Sequence, residues 1–262
     1  MSAPPHADPG WGVFETMLVI AGRPVELDAH IERLRTSVSA LYGAVLPDSA
    51  PALAGDAAHG IEHGKVRLTL VPTGTRLEVQ VSAEEVEAAS VFPSSDRAAG
   101  LRSFVVAGGL GEHKWTDRRL LDRLAAAAPG ELPLLLEADG TVLEASRASL
   151  FAVRDGRLLT PPTDGRILPS IARRQTIEVA REVGIEVDEE PLVLAELYDG
   201  EVFLTGSVRG IEPVRVIDDK PLAPPSEVSA RIAAGLRTRW LRAPAAAPVA
   251  AAGGGRQDGQ PG

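Results

Sequence analysis

Two hydrophobic periods divide the chain between strands and helices from Trp11 to Leu241. Residues 11–20 read as a strand, and Ala21-Gly22 turns it into a second strand that runs to Leu27. Asp28 is placed to cap a helix whose apolar positions, Leu27, Ile31, Leu34, Val38 and Leu41, recur at four- and three-residue steps until Gly43. Residues 47–64 read as a short helix with flexible flanks. Strands at 66–71 and 76–81 alternate apolar and polar positions around Pro72-Thr73-Gly74, as a half-buried antiparallel pair does.

Residues 84–100 form a joint, so residues 1–90 are expected to be a small lobe and 91–242 a larger one. The larger lobe opens with a strand at 101–106, a Gly-rich bend at 108–111 and a helix at 116–128. Strands follow at 132–137, 142–144 and 149–153, separated by Asp139-Gly140 and Asp155-Gly156 turns. A helix at 170–183 has Pro169 before it and Gly184 after it. Strands near 185–187, 201–205 and 214–217 lead to a last helix at 226–241. Residues 243–262 are rich in Ala, Gly, Pro and Gln and are expected to be a disordered tail. Frequent hairpins without a steady βαβ rhythm indicate an α+β fold of two lobes.

Composition narrows the function. With 44% apolar and 24% charged residues and no apolar run near 20 residues, the chain has no membrane span in prospect. The absence of cysteine excludes thiolate catalysis and Cys-based metal sites, and together with the lack of a secretory signal it suits the cytoplasm. The net charge of −9 makes general nucleic-acid binding unfavourable, and an anionic small substrate would need local cations. His59 and His63 stand four apart, but their Ala- and Gly-rich surroundings read as a solvated segment, and no metal site is expected.

Lys114 follows the Gly-rich bend and precedes Trp115, which could keep water from its amine. A desolvated lysine becomes a nucleophile toward carbonyls. Pro169 and Ser170 pin a helix start and leave the Ile171 and Ala172 N–H groups without intrahelical partners, an arrangement suited to phosphate. Glu144 lies in a strand of apolar or small residues, where it either faces solvent or pairs with a buried cation.

In order along the chain, Gly12-Val13-Phe14-Glu15-Thr16-Met17, Asp28-Ala29-His30-Ile31-Glu32-Arg33-Leu34, His113-Lys114-Trp115-Thr116-Asp117-Arg118, the stretch from Val142 to Phe151, Ile167-Leu168-Pro169, the stretch from Glu201 to Ser207 and Gly210-Ile211-Glu212-Pro213-Val214 resemble the class-IV aminotransferases over residues 12–218. The resemblance implies a two-lobed fold-type-IV enzyme that uses pyridoxal 5′-phosphate (PLP). It implies Lys114 as the Schiff-base lysine and proton shuttle, Glu144 facing the pyridine nitrogen, and Arg33 holding the phosphate with the Ile171 and Ala172 amides and Ser207. It also implies a homodimer with its sites near the interface. Ser149 and Asp117 stand where the family commonly has Asn, and Ser170 and Ala172 where Gly and Thr are usual. Among the activities this scaffold carries, the Phe14-Glu15-Thr16 wording and the short start before Trp11 most resemble 4-amino-4-deoxychorismate lyase, with Thr16 near the substrate. A branched-chain or D-amino-acid aminotransferase is the alternative, and a non-catalytic member of the family is a further one.

Overall fold

A computed structural model describes residues 7–74 and 76–241; the tail expected at 243–262 lies outside the described residues. In chain order the first elements are β1 (Val13–Ile20), β2 (Arg23–Pro24), α1 (Leu27–Tyr42), α2 (Ala50–Ala58), β3 (His63–Thr73) and β4 (Arg76–Glu85). Next come β5 (Ala99–Val105), α3 (Arg119–Ala127), β6 (Leu132–Leu136), β7 (Val142–Ala145), β8 (Ser149–Arg154) and β9 (Arg157–Thr160). The last are α4 (Ile171–Glu182), β10 (Val187–Glu189), α5 (Leu194–Leu197), β11 (Glu201–Gly206), β12 (Gly210–Ile217), β13 (Lys220–Pro221) and α6 (Glu227–Leu241).

The first four strands form an antiparallel sheet in the order β2-β1-β3-β4. The remaining nine form a mixed sheet, β10-β9-β8-β11-β12-β5-β6-β7, with β13 paired to β12. Helix α3 connects β5 to β6, which pair in parallel and so need a crossover rather than a hairpin.

Strand β1 links the two halves through its period of two. Val13, Met17 and Val19 pack with Ile31, Leu34 and Val38 of α1. Leu18, on the opposite face, enters the core that holds Phe151, Phe203, α4 and α6. Each fully buried Leu or Phe of these cores contributes about 1.5–3 kcal/mol. At the other end of β1, the residues on the Leu18 face are Phe14 and Thr16, and a cleft opens there.

Several boundaries differ from those the pattern predicts. Glu26 turns the chain at φ +56°, so β2 is short, α1 begins at Leu27, and Asp28 lies in the first turn instead of capping it. There its charge still favours the helix N-terminus. The helix expected from residue 116 begins at Arg119, because the Asp117 carboxylate takes the Arg119 N–H and holds the preceding residues in a turn. β9, α5 and β13 were not foreseen; they span two to four residues each, too short to carry a period. Among the described residues, no helix is long and apolar enough to cross a membrane.

Candidate active site

The lysine segment is laced onto the start of β1. The Phe14 N–H donates to the Lys114 carbonyl at 2.9 Å, the Thr116 N–H donates to the Gly12 carbonyl at 3.0 Å, and Trp115 bridges to Val13. Gly12 permits this approach: at φ +92° a side chain there would put Cβ 2.0 Å from the Leu70 carbonyl oxygen. Trp115 is buried and its indole N–H donates to the Leu110 carbonyl, which fixes the turn before Lys114. Nζ of Lys114 lies 5.1 Å from the centre of the Phe14 ring.

Lys114 stands between two chambers. The inner one is lined by Arg33, Glu144, Ser149, Ser170 and Ser207 among others. The outer basin, of about 390 Å³, is lined by Phe14, Thr16 and a set of basic side chains. Burial, joined by the positive charges of Arg33 and Arg118, lowers the Lys114 pKa from 10.5 to about 8, against the pull of Glu15 and Glu144. A useful share of the amine is therefore neutral near physiological pH.

Glu144 is buried on β7, which decides between the two readings of this residue in favour of the interior. Its burial raises the carboxyl pKa to about 8, opposed by the Leu168 N–H, which reaches both oxygens at 3.4 Å, and by Lys114, Arg118 and Arg33. At neutral pH this group holds a proton it can share with a basic nitrogen. Ser149, 3% exposed at the start of β8, has a hydroxyl with no hydrogen-bond partner among the described residues, and it too lines the inner chamber. A buried hydroxyl left open in this way fits a polar guest.

Arg33 reaches the chamber from α1. Its Nε and Nη2 grip both oxygens of Glu15 at 2.7 and 2.8 Å, and Nη1 donates to the Pro169 carbonyl at 3.0 Å. The His30 ring Nδ1 lies 2.7 Å from the same carboxylate. Burial alone would raise the Glu15 pKa, but the charge of Arg33 and the hydrogen bonds from His30 and Arg33 outweigh it and hold the group at about 2. The cluster ties β1, α1 and the approach to α4 together and aims the guanidinium. Glu15 and His30 stand in the family-like segments, but the sequence pattern assigns them no role. The available signal was a carboxylate in a buried strand facing a His and an Arg three residues apart on the next helix.

Ser170 caps α4 by accepting the Arg173 N–H at 3.2 Å, and Arg174 N–H bonds to the Ser170 carbonyl. The Ile171 and Ala172 amides have no hydrogen-bond partner among the described residues. Neither residue lines the two chambers: Ile171 borders a separate groove beyond Pro169, and Ala172 has no exposed surface. Ser207, in the turn after β11, borders both chambers. Thr16 is in the outer basin, where its hydroxyl accepts from Arg67 Nε at 3.2 Å. Arg173 is buried on Thr160, Pro161 and Glu189.

A family model for class IV amino-transferases matches residues 12–217. The chain belongs to the class-IV aminotransferase family. The branched-chain-amino-acid aminotransferase of Escherichia coli (strain K12) is 32% identical over 145 residues, which are 54% of this chain and 42% of that protein. The chain thus matches well under half the length of that curated relative. Among solved structures, the "hypothetical aminotransferase" of Mycobacterium tuberculosis in its PLP-bound form has a TM-score of 0.76 at 23% identity, covering 92% of this chain and 94% of that one. A Legionella pneumophila structure described as "Putative 4-amino-4-deoxychorismate lyase" has a TM-score of 0.74 at 21% identity, covering 91% and 96%. These two likenesses carry the fold, and the fold-type-IV architecture expected of the family is the one observed.

Proposed function

We propose that the chain is a PLP-dependent lyase that converts 4-amino-4-deoxychorismate to 4-aminobenzoate and pyruvate. Class-IV aminotransferases use PLP, and the inner chamber suits it: Lys114 to hold the carbonyl end, Glu144 to meet the ring nitrogen, and Arg33 with Ser170 and Ser207 for the phosphate. The open Ser149 hydroxyl supports the fit. PLP, when bound, supplies an electron sink for the carbanion left when a substrate proton departs. Lys114, with its amine near neutrality, accepts that proton and returns one elsewhere. Glu144 keeps a proton at the far end of the chamber. Thr16, held by Arg67, orients the substrate beside Lys114.

The observation that carries the lyase reading is the lining of the outer basin. A branched aliphatic side chain needs apolar walls. Here the apolar contribution is Phe14, Ala148 and Val208, set among Arg67, Arg118 and other cations, which suits an anionic substrate. The transaminase reading draws support from the curated relative, whose name is that of a branched-chain aminotransferase.

The test is a coupled assay on purified protein with added PLP. Pyruvate released from aminodeoxychorismate is the expected result. Amino exchange between branched-chain amino acids and 2-oxoglutarate without pyruvate release would replace the lyase with the transaminase. Borohydride reduction followed by peptide mass spectrometry is expected to leave the cofactor adduct on Lys114, and an adduct elsewhere would remove both. A homodimer is part of the same proposal, read out by sedimentation velocity; a fully active monomer would contradict it.

A further inference from the structure

The outer basin departs sharply from the charge of the chain around it. Lys65, Arg67, Lys114, Arg118, Arg147 and Arg209 line it, although the protein as a whole carries −9. The one carboxylate in the lining is Glu212. It is buried, and two guanidiniums share it: Arg147 Nη2 lies 3.1 Å from Oε1 and 3.0 Å from Oε2, and Arg209 Nη1 lies 3.2 Å from Oε1.

A guanidinium has five N–H donors in a planar fork. Glu212 occupies one nitrogen of each arginine, and the others, Nη1 and Nε of Arg147 and Nη2 and Nε of Arg209, have no partner among the described residues. The two arginines come from different places, the turn between β7 and β8 and the turn between β11 and β12, and Glu212 on β12 pins them together. Two positive forks on one buried anchor leave a net positive charge in the basin lining. Arg118 donates to the Ser146 carbonyl at 2.9 Å and Arg67 to Thr16, neither with a carboxylate partner among the described residues. The basin therefore holds two sets of cations, Arg67 and Arg118 on neutral partners and the Glu212-bound pair, of which Arg118 and Arg147 also border the inner chamber.

We propose that Arg147 and Arg209, fixed by Glu212, form a subsite for a second carboxylate, and that they make the enzyme selective for substrates bearing two carboxylates rather than one. The inference rests on reading the basin as the substrate side of Lys114. It deepens the lyase assignment, because aminodeoxychorismate carries one carboxylate on its ring and one on its enolpyruvyl arm. Neither arginine is among the side chains assigned to the cofactor; both act on substrate binding. A bidentate fork on a carboxylate is directional, so loss of one is expected to weaken binding about tenfold.

The test measures binding to the PLP-loaded enzyme by titration calorimetry with two unreactive probes, isophthalate and benzoate, which share a ring and differ by one carboxylate. Isophthalate is expected to bind at least tenfold more tightly. Single variants Arg147→Gln and Arg209→Gln each leave Glu212 with one guanidinium, which protects the fold, and circular dichroism melting checks it. Each is expected to cost about tenfold for isophthalate and little for benzoate, with Arg209→Lys recovering part of the loss. Equal affinity of the two probes for the wild type would overturn the subsite, a result that needs no variant. Equal weakening of both probes in the variants would also overturn it. Reductive trapping at Lys114 reads the cofactor assignment separately, so its failure is not confused with failure of the subsite.

Discussion

Glu15 and Glu144 are buried carboxylates that both act on the charge of Lys114, one on a strand of the small sheet and one on a strand of the large sheet. Glu15 is held at about 2 and Glu144 at about 8. Burial pushes both upward, and the difference lies in their partners. Glu15 receives two hydrogen bonds from Arg33 and one from His30, whereas Glu144 receives one long N–H from Leu168 and feels its cations at a distance. The same side chain in the same kind of interior is thus an anionic anchor in one region and a proton holder in the other. The anchored carboxylate fixes Arg33, and the open one is left with capacity for a guest.

Replacing the amine that both act on is the largest perturbation. Lys114→Ala is expected to lower turnover by roughly 10⁴-fold, since it removes both cofactor attachment and proton transfer. Steady-state assays and loss of visible cofactor absorbance would check it, and activity within tenfold of wild type would contradict the role given to Lys114.

Next in size is the contrast itself. Glu15→Gln strips a buried guanidinium of its counter-charge and is expected to destabilise the protein by about 3 kcal/mol in urea unfolding. Glu144→Gln is expected to raise stability at neutral pH, because it removes the cost of taking up a proton on folding, but to lower turnover by roughly 10²-fold. Equal effects of the two variants on stability would erase the distinction.

The pH dependence sharpens the contrast further in the cofactor-free protein. Glu15, depressed in the fold, stabilises above its ordinary value of 4.5, and that stability is lost as pH falls toward about 2. Glu144, raised in the fold, binds more protons folded than unfolded, so stability declines as pH rises from 4.5 to about 8. Unfolding titrations should lose the acid slope in Glu15→Gln and the alkaline slope in Glu144→Gln; unchanged slopes would refute the assignment. The smallest effect is expected from Thr16→Val, which removes a hydroxyl from the basin while keeping a strand-forming shape: about a tenfold loss in kcat/KM with stability nearly unchanged.

Local pattern carried much of this protein. Alternation marked β3 and β4, the four-and-three spacing marked α1, and Pro169-Ser170 marked the start of α4, because these signals depend on neighbours in sequence. Lys114 and Glu144 were legible as a pair only through the ordered run of family-like segments, since a lone lysine after a glycine bend says little. The sequence by itself therefore determined the element types, the family and the candidate amine. Tertiary structure decided the partners. Glu15 became an anchor because folding brings α1 against β1, and Arg118, Arg147 and Arg209 became one cationic basin because three separate turns converge there. Charge states and clefts arise from contacts between residues far apart in the chain, and no local period encodes those distances.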